Sequence, residues 1–376
     1  MANEVRIDLI LIIYTAICVM MICFNTVFLL YLRYRDFIFK DKREKIRQAI
    51  KDQIELVSKN EEIDKQKQQY LYRNFTKIRF LKAFHEIVKE QAAVDYESTF
   101  TYLKLCKPLF EYLIIEFDNK ENSKKGYLAF LVGEFKLCDE TVYDFIVSAM
   151  ISYTTNKSVY VRQNALHALY TSDNGEAILT AMLRMQEMKI KHNNKLISDG
   201  LMLFHGDRAR LASLLWKEYS RFDVSTRVAI INFIRMSTLD YSEKFLKLLK
   251  DEHSHKEIRL AIIRYFGRMT YAPAGQYLVE LLRQKNAEWE YRAIAATSLA
   301  SYKNDETVNA LKEALTSDNW YVRFNASESL VELDVEYVDL VDIYNGPDRY
   351  AREILEYKME TERLKRKTRK EKRDVY

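Results

Sequence analysis

The chain has 376 residues, 30% of them charged and 48% hydrophobic, with a net charge of +5. Only 8 glycines and 3 prolines occur, which excludes a disordered domain linker and predicts helix nearly throughout. Four cysteines with no CxxC pair exclude a disulfide scaffold and place most of the chain in a reducing compartment.

From Leu9 to Leu32 the sequence carries no charge. A helix of about 24 residues spans roughly 36 Å, enough to cross a ~30 Å hydrocarbon core with some tilt. A cleaved leader would need a basic start, a shorter apolar stretch and a small-residue cleavage site. Here two acids accompany one arginine at the start, and the run ends in aromatics and arginine. The expectation is an uncleaved single-pass anchor over residues 1–35, and the alternative is a buried core helix. Eight basic residues lie between Arg33 and Lys51, so the rest of the chain is expected on the cytoplasmic side of a cell membrane. Asn25 is the one strongly polar side chain in the run; the ordinary reading is a polar residue tolerated near one end of the helix, and the sharper one an interhelical hydrogen bond to a partner.

Residues 36–122 read as a helical connector and N-terminal cap. Ile46, Ile50, Ile54 and Val57 form a narrow apolar stripe, too short for a sustained heptad seam and suited to a docked or stalk-like helix. Residues 70–88 and 100–117 predict further amphipathic helices, with Pro108 bending or restarting the second. Residues 119–125 read as a loop. Phe84 and the aromatics around it are expected to form core rather than a ligand pocket.

Residues 123–346 are periodic. Arg162, Arg227, Arg259, Arg292 and Arg323 are separated by about 65, 32, 33 and 31 residues, the first gap holding a blurred member near Lys195. Leu183, Leu215, Leu249, Leu282 and Leu315 echo at the same period. Two helices per period make an antiparallel pair, and stacked pairs make an α-solenoid. Three residues past each arginine, Ala165, Ile230, Ile262, Ala295 and Ala326 are expected to face the core. Leu169, Ile234, Phe266, Leu299 and Leu330 should join them one turn on.

The pattern Asp-x-x-x-Val-Arg-x-x-Ala-x-x-x-Leu at Asp318–Leu330 resembles a HEAT repeat of the short bacterial form, as also found in lyase-type repeats. The resemblance covers roughly residues 125–345. Arg162 and Arg323 match it closely, each after a valine; Arg227, Arg259 and Arg292 follow Thr226, Ile258 and Tyr291 instead. The unit near Lys195 departs, with Asp199 where an apolar residue is expected, and only Pro273 could stand for the first-helix proline of longer repeats. The resemblance implies that the motif arginine and acidic residue tie neighbouring repeats together.

Reactive groups are sparse. His253 and His255 sit together at a unit boundary without the further ligands a metal requires. A HEAT-type iron hydroxylase would carry repeated His-Glu pairs, and only His85-Glu86 occurs. No phosphate-binding glycine loop or serine-hydrolase elbow is present. The expectation is therefore no enzyme, no cofactor and no metal.

Residues 347–376 read as a basic helix or tail. Lys365, Arg366, Lys367, Arg369, Lys370, Lys372 and Arg373 are candidates for contact with an anionic inner leaflet. No aromatic interleaves them to stack bases, which disfavours nucleic acid. The sequence thus predicts an all-α, HEAT-like α-solenoid of helical hairpins preceded by a transmembrane helix. It would act as a bacterial cytoplasmic scaffold or accessory subunit, partnered by an integral membrane protein such as a glycosyltransferase synthase. Binding is expected on the concave face, with Trp289, Trp320 and Tyr321 as the first candidate anchors, the competing and more ordinary role for these aromatics being inter-repeat packing. The alternatives are a HEAT-like enzyme of DNA base-excision or lyase type, using tryptophans such as Trp216, and a nucleic-acid-binding tether.

Overall fold

The computed structural model describes residues 2–138 and 141–373, with side chains for 12–138 and 141–365. Among the described residues there are 20 α-helices, two short 3-10 turns and no strand. The helices fall into two compact units. One comprises residues up to Leu137 together with Ser158–Ala165, and the other Cys138–Lys157 and everything from Leu166 onward.

The first unit contains α1 (Ala2–Ser58), α2 (Lys65–Phe75), α3 (Ile78–Ala92), α4 (Tyr96–Leu105), α5 (Lys107–Phe117) and α6 (Asn122–Glu134). Its first helix changes character along its length. From Ile12 to Leu30 its side chains are exposed, whereas Ile46, Ile50, Ile54 and Val57 are buried against α3 and α4. The expected stripe is therefore a docked face, buried because only apolar residues repeat there at helical spacing.

The helix expected over 70–88 breaks at Thr76 and Lys77. Asn74 donates its amide to the Tyr70 carbonyl and Thr76 its hydroxyl to the Arg73 carbonyl, local bonds that compete with continued helix. Pro108 restarts rather than bends, since α4 ends at Leu105 and α5 carries the proline in its first turn. The expected loop over 119–125 is shorter, because α6 begins at Asn122.

Phe84 is fully buried at the centre of this unit. Beside it, His85 has its Nδ1 3.3 Å from the Tyr127 hydroxyl and its Nε2 4.0 Å from a Glu134 oxygen. Burial holds the imidazole below its ordinary pKa of 6.5, with Lys89 adding to the effect and Glu134 and Glu86 opposing it. The folded unit thus keeps His85 neutral where the unfolded chain takes up a proton. Stability is expected to fall as pH drops below about 6.5 and to level off once the folded imidazole also protonates. His85→Gln should flatten that part of the pH profile in chemical denaturation. An unchanged slope would show that the imidazole is not its source.

The second unit continues from α7 (Phe145–Tyr153) through α8 (Val159–Tyr170), which the unit boundary crosses, to α9 (Gly175–Glu187), α10 (Asn194–Leu201) and α11 (Arg208–Lys217). Then come α12 (Val224–Met236), α13 (Ser242–Lys250), α14 (Lys256–Phe266), α15 (Ala272–Arg283), α16 (Trp289–Leu299) and α17 (Asp305–Ala314). The unit ends with α18 (Trp320–Glu332), the single turn α19 (Val341–Tyr344) and α20 (Arg349–Arg373). Helices α10, α12, α14, α16, α18 and α20 pack each on the next as one layer, and α7, α9 and α11, then α15 and α17, form the second. That is an all-α solenoid of helical hairpins.

All ten residues expected in the core at the third and seventh places past the motif arginines are fully buried. Of the echoing leucines, Leu215, Leu249, Leu282 and Leu315 are buried, while Leu183 is only half-buried and Ala181, Met182 and Met185 fill its place. The irregular unit resolves at α10. Ile197 and Leu201 take the two core positions, which puts Asn194 in the arginine's place and Asp199 on the exposed side. Elsewhere a cap four residues before the arginine starts the helix, as Asp223, His255 and Asn319 do. Here Ile190 stands there and cannot cap, so the helix begins three residues late, on Asn193.

Neighbouring first helices are also joined by side chains that reach backbone carbonyls. The hydroxyl of Ser298 donates to the Ile263 carbonyl, and one period later Ser329 donates to Ala296, both at 2.9 Å. Tyr265 donates to the Leu239 carbonyl at 2.9 Å and accepts from the Tyr241 amide at 2.8 Å. Tyr302 does the same with Phe266 and Tyr271, so each hydroxyl latches the turn inside the preceding hairpin. Gly275 exists to admit that latch: a Cβ there would lie 2.7 Å from the Tyr302 ring.

Candidate interaction surface

The motif arginines act mainly on helix ends. Arg227 donates to the Ser220 carbonyl, Arg292 Nε to the Leu282 carbonyl at 3.1 Å, and Arg323 Nε to the Ser317 carbonyl. Each of these carbonyls closes the C-terminal end of the preceding hairpin, where a cation also meets the negative end of the helix dipole. Arg259 differs, with its Nη2 3.4 Å from the Tyr277 hydroxyl and its guanidinium 4.7 Å from the centre of the Tyr291 ring. Burial raises the pKa of that Tyr291 hydroxyl, and the Arg259 charge opposes the rise. Arg162 is half-buried on α8. An acidic partner across a repeat boundary appears at Arg323, whose Nη1 lies 3.4 Å from Asp348.

The same device occurs once more than the sequence reading counted. Arg352 on α20 donates to the Gly346 carbonyl at 2.7 Å, Asp348 caps the helix through the Ala351 amide, and Ala351 and Leu355 are buried. The first turns of the segment expected as a basic helix or tail from 347 thus pack as another first helix, on α18. Alanine stands before Arg352 where valine, threonine, isoleucine or tyrosine precedes the other arginines. The spacing of about 29 residues was the available signal.

The three aromatic candidates come together. Trp289 and Tyr321 stack across neighbouring repeats with centroids 5.0 Å apart and planes 22° apart. Trp320 meets Tyr321 edge-on at 5.2 Å and stacks on Phe324 at 4.8 Å. The ladder is at once packing and surface, since Trp289, Trp320 and Tyr321 stay 41%, 55% and 54% exposed. It ends at Lys358, whose ammonium sits 3.5 Å from the Phe324 ring centre while bonding Glu328 at 3.1 Å.

Between α18 and α20 the ladder opens into a cleft of about 490 Å³, walled by Trp320, Phe324, Tyr350, Ile354 and Tyr357. Asp318, Arg323 and Glu353 complete it. Arg323 is committed to Ser317 and Asp348, and Glu353 pairs with Arg349 at 2.7 Å. That leaves aromatic faces and the exposed Asp318 carboxylate turned to solvent, chemistry suited to holding a flat or cationic side chain. Tyr350 and Tyr357 lie beyond the periodic region, and Phe324 within it carries no signal that sets it apart from a packing residue.

Asn25 lies elsewhere, on the exposed apolar part of α1. Lys365 is exposed near Glu362, 3.9 Å away, whereas Arg366, Lys367, Arg369, Lys370, Lys372 and Arg373 lie outside the described side chains. Among the described residues, no three His, Cys, Asp or Glu side chains gather as a metal ion would require.

Residues 276–358 match the family described as HEAT repeats. The match takes in the aromatic ladder, Arg292, Arg323 and the first turns of α20. Compared by sequence with curated proteins, the chain matches none. Among solved structures it is similar to human deoxyhypusine hydroxylase in complex with glycerol, at 14% identity and a TM-score of 0.27. That similarity covers 78% of this chain and 95% of the other. A superposition that loose carries no inference about activity.

Proposed function

We propose that this chain is a non-enzymatic scaffold or accessory subunit, anchored in a bacterial cell membrane by the first part of α1. Its HEAT-like array would hold a protein partner on the cytoplasmic side. The anchor reading is supported by an exposed apolar helix of sufficient length: its most apolar stretch has a mean hydropathy of 2.2 and no buried share. The observation that carries the binding reading is the Trp289–Tyr321–Trp320–Phe324 ladder. Large aromatics left half in water at the mouth of a cleft are the residues from which protein interfaces draw most of their energy. An integral membrane protein, such as a synthase of the glycosyltransferase kind, fits a tether that also offers Asn25 within its apolar run.

Two measurements test the two halves. The full chain should remain with membranes through an alkaline wash, and the version lacking residues 1–35 should not; a washed-out full chain sinks the anchor. The full chain purified from native membranes should bring an integral membrane protein in fixed proportion. Trp320→Ala with Tyr321→Ala should lose it while remaining folded, with only the modest drop in melting temperature that two lost surface stacks bring. Retention of that partner by the double variant would overturn the role given to the ladder.

A further inference from the structure

The first unit contains a ruler that relates its folded part to the apolar stretch of α1. Arg79 pairs with Asp36 at 2.7 Å, Glu86 with Arg43 at 2.9 Å, and Glu90 with Arg47. Each pair is separated by 43 residues, so α3 runs parallel to α1 at a constant offset. The Arg79 guanidinium also lies 3.7 Å from the Phe39 ring centre, and Phe80 packs on Phe39 at 5.2 Å. Carried back by the same offset, Lys77 stands level with Tyr34, about 3 Å of helical rise beyond Leu32. The start of α3 and the turn before it therefore lie at the depth where the uncharged run of α1 ends.

Over the roughly 15 Å of helical rise that follow Leu32, exposed basic side chains outnumber acidic ones. Arg33, Arg35, Lys40 and Lys42 on α1, Arg73 in the last turn of α2, and Lys77 are all exposed. None of the six forms an ion pair among the described residues. The two acids at this level are engaged, Asp36 by Arg79 and Asp41 by Lys45 at 2.8 Å. Tyr34 and Phe37 stand 66% and 72% exposed among them. Basic groups mixed with exposed aromatics, ringed round the end of an apolar helix, match the headgroup layer of a bilayer.

We infer that the α2–α3 turn and the basic turn of α1 form one contact with anionic phospholipid headgroups, which seats the first unit flush on the membrane surface. This rests on the anchor reading and deepens it: the helix would be one of two attachments, the other electrostatic and sensitive to lipid charge. Arg73 and Lys77 carry the part that the anchor alone would not supply, because they lie outside the helix that holds the span.

The test uses the full chain in vesicles of phosphatidylcholine alone or of equal phosphatidylcholine and phosphatidylglycerol. Brief lysine acetylation is read by peptide mass spectrometry, with exposed Lys285 and Lys303 of the second unit as references. Acetylation of Lys40 and Lys77 should slow about fivefold in the anionic vesicles, the references being unchanged, and molar salt should restore it. Arg73→Glu with Lys77→Glu should stay with the vesicles and keep the melting temperature, yet lose the protection of Lys40. Equal rates in the two vesicles would overturn the contact, as would protection produced equally by RNA added to neutral vesicles. A full chain that floats with neither vesicle would overturn the contact and the anchor together, a result distinct from equal labelling of floating protein.

Discussion

Phe84→Ala is expected to destabilise the first unit by about 3–5 kcal/mol, the usual loss for removing a fully buried aromatic. Its ring lies 4.9 Å from that of Phe75, 5.8 Å from Phe135 and 6.4 Å from Phe110. Those residues end α2, follow α6 and sit within α5, so one side chain fills the space where three other segments meet α3. Truncation leaves a cavity that rigid neighbours close only in part, and the edge-on contact with Phe135 is lost as well. Amide exchange of α3 in the variant measures the effect within this unit alone. Phe84→Leu should cost far less, because most of the volume remains. Small and equal effects of the two changes would mean that the site tolerates collapse and that Phe84 is not its centre.

The second large effect should follow Arg323→Ala, at about 1.5–3 kcal/mol for charged hydrogen bonds lost from a largely buried side chain. Its guanidinium joins the end of one hairpin, at the Ser317 carbonyl, to the start of α20, at Asp348. Removing it leaves the carbonyl without this donor and Asp348 without its cation. Amide protection should fall first in the early turns of α20. Asp348→Asn should cost less, since an amide oxygen can still cap Ala351. Loss of protection confined to α17, with α20 untouched, would contradict the bridging role.

The layered fold was legible because burial repeats at a fixed distance from each arginine. Ala326 and Leu330 have the same neighbours one period earlier in Ala295 and Leu299, and a periodic pattern reports a periodic core. The break at Thr76–Lys77 was not legible, since Tyr70–Val88 keeps its apolar face across it and only local side-chain bonds stop the helix. The late start of α10 was hidden in the same way: one lost cap moves a boundary without moving the core residues. As for the surface, Trp289, Trp320 and Tyr321 could be named from composition, but their mutual stacking could not. It depends on the rotation between successive hairpins, which no single repeat encodes. Tyr350 and Tyr357 needed the extra first helix that Arg352 reveals, with alanine in place of the usual larger residue before it. The hydroxyl latches of Tyr265 and Tyr302 leave no periodic trace either, since they occupy different places relative to their arginines.

The first helix has one further consequence. Between Ala2 and Ser58 it contains neither glycine nor proline, and it runs unbroken from exposed apolar surface into packed core. Such a rod has no joint. A twist or tilt imposed on residues 12–32 must arrive as torque at Ile46, Ile50 and Ile54, and any load on that core must return along the same shaft.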